Sequence, residues 1–181
     1  MRALIICVSV SHGNTRRVAE AIGGVLGADV VEPEQLSSAD VAGYDLVGLG
    51  SGIYGMTFHP RLWRFVRSLP RGRGMPVFLF ATSGGREQWW RPAAVVIGGL
   101  LRSKGYRVVG TFSCRGWDTW LPLRLIGGIN RGRPADADLA AARAFASGFL
   151  VPADAGTPGP EPGRRAASEG STPRVGHLSR S

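Results

Sequence analysis

Ser9, Val10, Ser11, His12, Gly13, Asn14 and Thr15 are the residues of this chain most suited to hold a ligand. They follow the apolar run Ala3–Val8 and lead into a helical pattern with Val18, Ile22, Val25 and Leu26 on one face. A buried strand, a short polar loop and a helix start together make an anion site. Backbone N–H groups turn inward, hydroxyls add donors, and the helix dipole favours negative charge. The loop has neither the Lys-bearing P-loop pattern nor the three-glycine dinucleotide pattern. Its neutral hydroxyl and amide donors suit one terminal phosphate monoester. The same residue types also build an ordinary strand-to-helix turn capped by Asn14 or Thr15, and the loop by itself fits both readings.

Three further loops carry glycine beside aromatic or hydroxyl residues. They are Ser51, Gly52, Ile53, Tyr54 and Gly55; Thr82, Ser83, Gly84 and Gly85; and Cys114, Arg115, Gly116, Trp117 and Asp118. Glycine lets backbone approach a flat ligand, and aromatic rings supply faces for stacking. Trp89, Trp90, Trp117 and Trp120, four of the five tryptophans, fall in or just after the last two loops, whereas a protein needing only a core would place them in strands and helices. Tyr54 either contacts a ligand or covers the sheet edge. Asp118 is a polar partner for Trp117 or an Asx-turn residue. Trp89 and Trp90 are expected to pack a helix start, His59 to begin a helix at the surface, and Cys114 to pack rather than react. Arg16 and Arg17, set against the dipole in a first turn, are expected on a solvated face. No nucleophile–base constellation and no metal-ligand spacing is present, so no catalytic residue and no metal site are assigned.

The elements that must position these loops alternate between strand and helix. Strands are expected to end at Val8 and to cover 28–31, 44–50, 76–81 and 106–112. Helices are expected at about 15–26, after Pro60, at about 89–104 and from Asp136 or Asp138. Gly98 and Gly99 weaken the third helix by about 1 kcal/mol each. Such alternation predicts an α/β fold, a parallel sheet with helices on both faces. Five strands in the order 2-1-3-4-5 are the economical arrangement, and its ligand crevice lies beyond the carboxyl ends of the strands, where all four loops meet.

The 181 residues are read as one domain, 1–150, followed by a disordered tail, 151–181, rich in Pro, Gly, Ser, Ala and Arg. No apolar run approaches the length of a membrane span, and Ala3–Val8 is too short for a signal-peptide core. Together with two lone cysteines, Cys7 and Cys114, this points to a reduced, cytoplasmic protein. The formal charge is +9, and residues 1–150 hold 18 Arg and Lys against 10 acids. Nucleic acid is not expected as a partner, because the arginines are spread along the chain and no recognition motif is visible.

Taken together, the Ser9–Thr15 loop, Gly50–Gly55, Ala81–Gly84 and Cys114–Thr119 resemble the flavodoxin family across about residues 1–150. The segment Leu125–Pro134 resembles the C-terminal part of a prokaryotic subgroup of flavodoxin-like proteins. The resemblance implies a flavodoxin-like three-layer sandwich with non-covalently bound FMN. Ser11, His12, Asn14 and Thr15 would hold the phosphate, and loops 51–58, 82–85 and 114–119 would enclose the isoalloxazine. His12 departs from the hydroxyl residue more usual before the glycine, although its ring can still donate to a phosphate oxygen. The implied role is electron transfer between redox partners, with the alternative of an FMN-dependent oxidoreductase acting on NAD(P)H and a quinone. Residues 50–66 are also similar to flavodoxin-type protoporphyrinogen oxidases, but 82–92 is too short for that family's long loop. A flavin-free scaffold with an arginine-rich face has less support. The positive balance of 1–150 predicts a reduction potential above that of acidic relatives and a partner with an acidic docking face.

Overall fold

A strand with no polar residue belongs inside a sheet covered on both faces, and every residue of β1 (Ala3–Val8) is buried. The computed structural model describes residues 1–85, 90–117 and 129–150. These comprise β2 (Asp29–Val31), β3 (Leu46–Tyr54), β4 (Thr57–Phe58), β5 (Pro76–Ser83) and β6 (Arg107–Arg115), with helices α1 (Asn14–Leu26), α2 (Pro60–Ser68), α3 (Arg91–Ser103) and α4 (Asp136–Ser147). Met1–Val151 form one compact unit. The stretch read as a tail from residue 151 lies outside the described residues, as do Trp89, Asp118 and Leu125–Gly128.

The parallel strands run in the order β2-β1-β3-β5-β6, and β4 pairs antiparallel with β3. Counted over the five parallel strands this is the expected 2-1-3-4-5. Alternation along the strands sorts the core into two halves. Leu4, Ile6 and Val8 face α2 and α3, meeting Leu62, Phe65, Val66, Ile97 and Leu101. Ile5 and Cys7 face α1 and α4, where Val18, Ile22, Ala142 and Ala146 lie. On that second side Gly48 and Gly50 of β3 leave room for two rings of β5. A Cβ on Gly48 would fall 2.3 Å from Phe78, and one on Gly50 would fall 2.2 Å from Phe80. Phe149 stacks on Phe78 at 5.2 Å between centroids, and Phe145 meets the same ring edge-on at 5.7 Å. These contacts seat α4.

One expectation needs correction. The third parallel strand does not end at Gly50; it continues to Tyr54 and folds back into β4. Gly55 (φ 54) and Met56 (φ 65) are both left-handed, as the two central residues of a type I′ hairpin turn must be. Phe58, fully buried, fastens the hairpin. Met at such a position is not the Asn-Gly or Asp-Gly signal that announces the turn in a sequence. The third helix falls where it is expected, and burial of Ala93, Ile97 and Leu101 offsets the cost of Gly98 and Gly99 within it.

Candidate functional site

The carboxyl ends of β1, β3, β5 and β6 converge on one edge, and the chain leaving β1 forms its centre. After Val8, His12 (φ 52) and Gly13 (φ 67) both take left-handed backbone before α1 begins at Asn14. The Arg16 N–H donates to Ser9 Oγ at 3.3 Å, and the Arg17 N–H to the Gly13 carbonyl at 3.0 Å. The first turn of α1 contains no acid, so its positive end is not neutralised from within the helix. Arg16 pairs with Glu20 at 2.9 Å, both partners exposed, which places that arginine on the helix surface.

Asn14 and Thr15 are buried, and both reach across to other strands. Asn14 Nδ2 donates to the Trp117 carbonyl at 2.7 Å. Thr15 Oγ1 shares a 2.7 Å hydrogen bond with Thr82 Oγ1 at the end of β5. The His12 ring stacks on the Trp117 ring, centroids 3.9 Å apart and planes 23° from parallel, and the Arg131 guanidinium lies 5.8 Å from the centroid of the same indole. Loop 9–15 therefore holds both the backbone and the ring of Trp117. Gly116 permits this approach, since a Cβ there would lie 2.9 Å from Asn14 Nδ2.

The other loop residues fall into place around that centre. Ser51 is fully buried; its Oγ donates to the Gly52 carbonyl at 2.7 Å and accepts the His59 N–H at 3.0 Å, so its hydroxyl holds the hairpin. Gly52 and Ile53 are strand residues, and the Tyr54 ring lies over Gly52. Tyr54 meets His59 edge-on at 5.5 Å. His59 caps α2, its Nδ1 accepting the Arg61 N–H at 3.2 Å; burial, and then the Arg61 charge, hold its pKa below the usual imidazole value. Ser83 Oγ accepts the Gly85 N–H at 3.1 Å, and the Ser83 carbonyl accepts the Gly116 N–H at 3.0 Å. Thr82, Gly84, Gly85, Gly116 and Trp117 thus stand side by side. Val10 and Arg115 are exposed. Asp118 lies outside the described residues. Trp90 is buried in the core before α3, a packing residue.

One residue of this edge escapes the motif reading. Asn130, left-handed at φ 58, donates from Nδ2 to the Gly84 carbonyl at 2.8 Å and to the Gly116 carbonyl at 3.5 Å. It ties the loops after β5 and β6 together from a position distant in sequence. Its signal was the Asn between glycines at 128–132. Neither thiol is a nucleophile here. Burial pushes both Cys7 and Cys114 up to about 12, which keeps them protonated at neutral pH. No cluster of metal-ligating side chains occurs among the described residues, and no helix among them is long and apolar enough to cross a membrane.

The donor set suits a phosphate monoester. It consists of a helix N-terminus free of acids, the Ser9 and Ser11 hydroxyls and the His12 imidazole, beside glycine loops and aromatic faces. Comparison with known proteins agrees with the architecture. The sequence model of the flavodoxin domain matches residues 5–94. An uncharacterised protein of Methanocaldococcus jannaschii is 31% identical over 153 residues, covering 83% of this chain and 99% of that one. The fold is shared with a flavodoxin of Streptococcus pneumonia (TM-score 0.63, 14% identity, 83% of this chain and 98% of the other). It is shared also with flavodoxin 2 of Bacillus cereus (TM-score 0.62, 20% identity, 83% and 98%). The chain belongs to the flavodoxin-like family.

Proposed function

We propose that residues 1–150 bind FMN at this edge and that the protein carries electrons between redox partners. The observation that carries the reading is the double hold of loop 9–15 on Trp117, through Asn14 and through the stacked His12 ring. It joins a phosphate-type loop and an aromatic face in one unit where the strand order reverses, the usual ligand position of this topology. Ser9, Ser11 and His12 would hold the phosphate at the start of α1, with Asn14 and Thr15 fixing the loop that presents them. Tyr54 and Trp117 would flank the ring system, and Gly84 and Gly85 would let backbone come close. Bound FMN supplies one- and two-electron chemistry, and the protein's part is to orient it, shield it and set the charge around it.

Electron carriage needs no nucleophile or general base, and the two thiols, one buried and one half-buried, supply neither. The alternative, an FMN-dependent oxidoreductase, would use the same site with NAD(P)H as donor. The positive balance of residues 1–150 favours the added negative charge of a reduced flavin and suits a partner with an acidic docking face. Titration of apo-protein with FMN, with riboflavin as control, tests the reading. Tight FMN binding and weak riboflavin binding are expected; equal binding of the two would remove the phosphate site. Steady NADPH oxidation by the FMN-loaded protein without a partner protein would favour the enzyme.

A further inference from the structure

The helical layer formed by α2 and α3 carries a surface that the proposed function does not use. From Leu62 to Trp117 the described residues contain no Asp or Glu. Arg64, Arg67, Arg71, Arg73, Arg91 and Arg102 are all exposed there. The ion pairs among the described residues involve other arginines, those at 16, 61 and 133. Several of these groups sit on one rigid mount. Lys104 Nζ donates to the Arg67 and Leu69 carbonyls at 2.7 and 2.6 Å, joining the end of α2 to the end of α3. The Gly72 and Gly74 N–H groups donate to the Lys104 and Gly105 carbonyls at 2.8 and 2.7 Å, which fixes the Arg71–Gly74 turn to the same place. Arg67 and Arg102 occupy the last turns of their helices, where the dipole welcomes a cation. That explanation does not reach Arg64, Arg71 or Arg73.

The same layer exposes apolar surface. Val95 and Val96 of α3 are 70% and 60% exposed, with Pro92 and Gly99 exposed one turn to either side. Arg91 and Arg102 bracket them, about 16 Å apart along the helix. A single exposed valine calls for no explanation. Two adjacent β-branched residues on the outer face of a helix, between cations and on a helix that carries no acid, form a surface that is at once apolar and positive.

We propose that the α2–α3 face docks on an anionic lipid bilayer. None of the six arginines forms an ion pair among the described residues, although Arg64 lies close enough to Glu34 to help lower its pKa. Such a set complements a negatively charged headgroup plane, and the stems can lie along it while the guanidinium groups stay hydrated. Val95 and Val96 supply the shallow apolar contact that an interfacial helix makes. Two helices side by side in one layer present a broad face rather than a cleft. A polynucleotide would use the arginines and leave the valines in water. Docking of this kind leaves the carboxyl edge of the sheet accessible to ligands and partners. It does not depend on FMN.

The test is co-sedimentation of the full chain with phosphatidylcholine vesicles, with and without one quarter phosphatidylglycerol. At least about fivefold more protein is expected to pellet with the anionic vesicles at low salt, with a comparable loss as salt is raised and the charges are screened. Arg64→Glu with Arg71→Glu, and separately Val95→Asp with Val96→Asp, are each expected to cut binding at least threefold with unchanged circular dichroism. Arg164→Glu with Arg165→Glu is expected to leave it intact. Equal pelleting with both vesicle types would overturn the proposal. So would vesicle binding that both surface variants leave unchanged, or anionic-vesicle binding lost only with the change at 164 and 165. Binding of a DNA duplex or a poly-glutamate peptide in the absence of vesicle binding would assign the face to those partners instead.

Discussion

The two ends of the sheet are built by different means. At the amino end, the turn from Arg71 to Met75 is held to Lys104–Arg107 by backbone hydrogen bonds, the Tyr106 ring fills the space beside Gly72, and Lys104 Nζ adds one side-chain tie, to the Arg67 and Leu69 carbonyls. At the carboxyl end, side chains make the ties: Asn14 to Trp117, Thr15 to Thr82, Asn130 to Gly84, and His12 stacked on Trp117. Backbone ties tolerate almost any exposed side chain nearby. Side-chain ties demand particular residues, and they place hydroxyl, amide and imidazole groups where a ligand can meet them. The end that carries specific polar side chains is the end suited to function.

If that contrast holds, damage at the two ends separates into stability and binding. The largest effect is expected from Gly72→Val. A Cβ at Gly72 would lie 2.5 Å from the Tyr106 ring, and overpacking this turn is expected to cost about 3 kcal/mol of stability. Thermal unfolding reads the loss, while the FMN affinity of the folded protein stays at the wild-type value. A fall in affinity as large as the fall in stability would erase the distinction between the ends.

Asn14→Ala is the converse test. It frees the Trp117 carbonyl and removes a member of the loop that would hold the phosphate. FMN affinity is expected to fall about 30-fold, the equivalent of about 2 kcal/mol, with a smaller loss of stability. Titration by flavin fluorescence measures the first and chemical denaturation the second. A variant that is markedly destabilised yet binds FMN normally would make Asn14 a purely structural residue.

A finer test lies in the threonine pair. Thr15→Val or Thr82→Val alone leaves the other buried hydroxyl without its partner, at a cost of about 1–2 kcal/mol, whereas the double substitution removes both groups and costs less than the sum of the single changes. Denaturation of the four proteins in the cycle gives the coupling. Strict additivity would mean that the 2.7 Å contact contributes nothing.

Legibility in the sequence follows the same contrast. Ala3–Val8, the α1 stripe and the Leu62–Leu69 stripe announce themselves by period and composition, because burial of a strand or a helix face is written locally. The parallel order and the convergence of four loops follow from that alternation. What escaped was long-range or conformational. Nothing near Asn130 tells that its amide will reach Gly84, 46 positions away. The left-handed Met56 is set by the hairpin that Phe58 anchors, and Met carries no preference that would reveal it. Asn14 and Thr15 were legible as loop residues with polar chemistry; that their side chains turn inward to Trp117 and Thr82 is a consequence of packing.

The smallest effect at neutral pH, and the sharpest in its pH dependence, concerns the thiols. Burial raises both cysteines from 9.0 to about 12. Between those values an unfolded chain has given up thiol protons that the folded chain still holds. Their contribution to stability is therefore complete below pH 9 and is lost as pH rises towards 12. Unfolding temperature is expected to be insensitive to the thiols from pH 7 to 8.5 and then to fall, more steeply in the wild type than in Cys114→Ala. Iodoacetamide at pH 8 is expected to leave Cys7 and Cys114 unmodified in the folded protein and to modify both in denaturant. Cys114, half-buried on the edge strand β6, should yield before Cys7, which is buried within β1. Labelling in the reverse order would place the looser region in the centre of the sheet rather than at the rim that carries the loops.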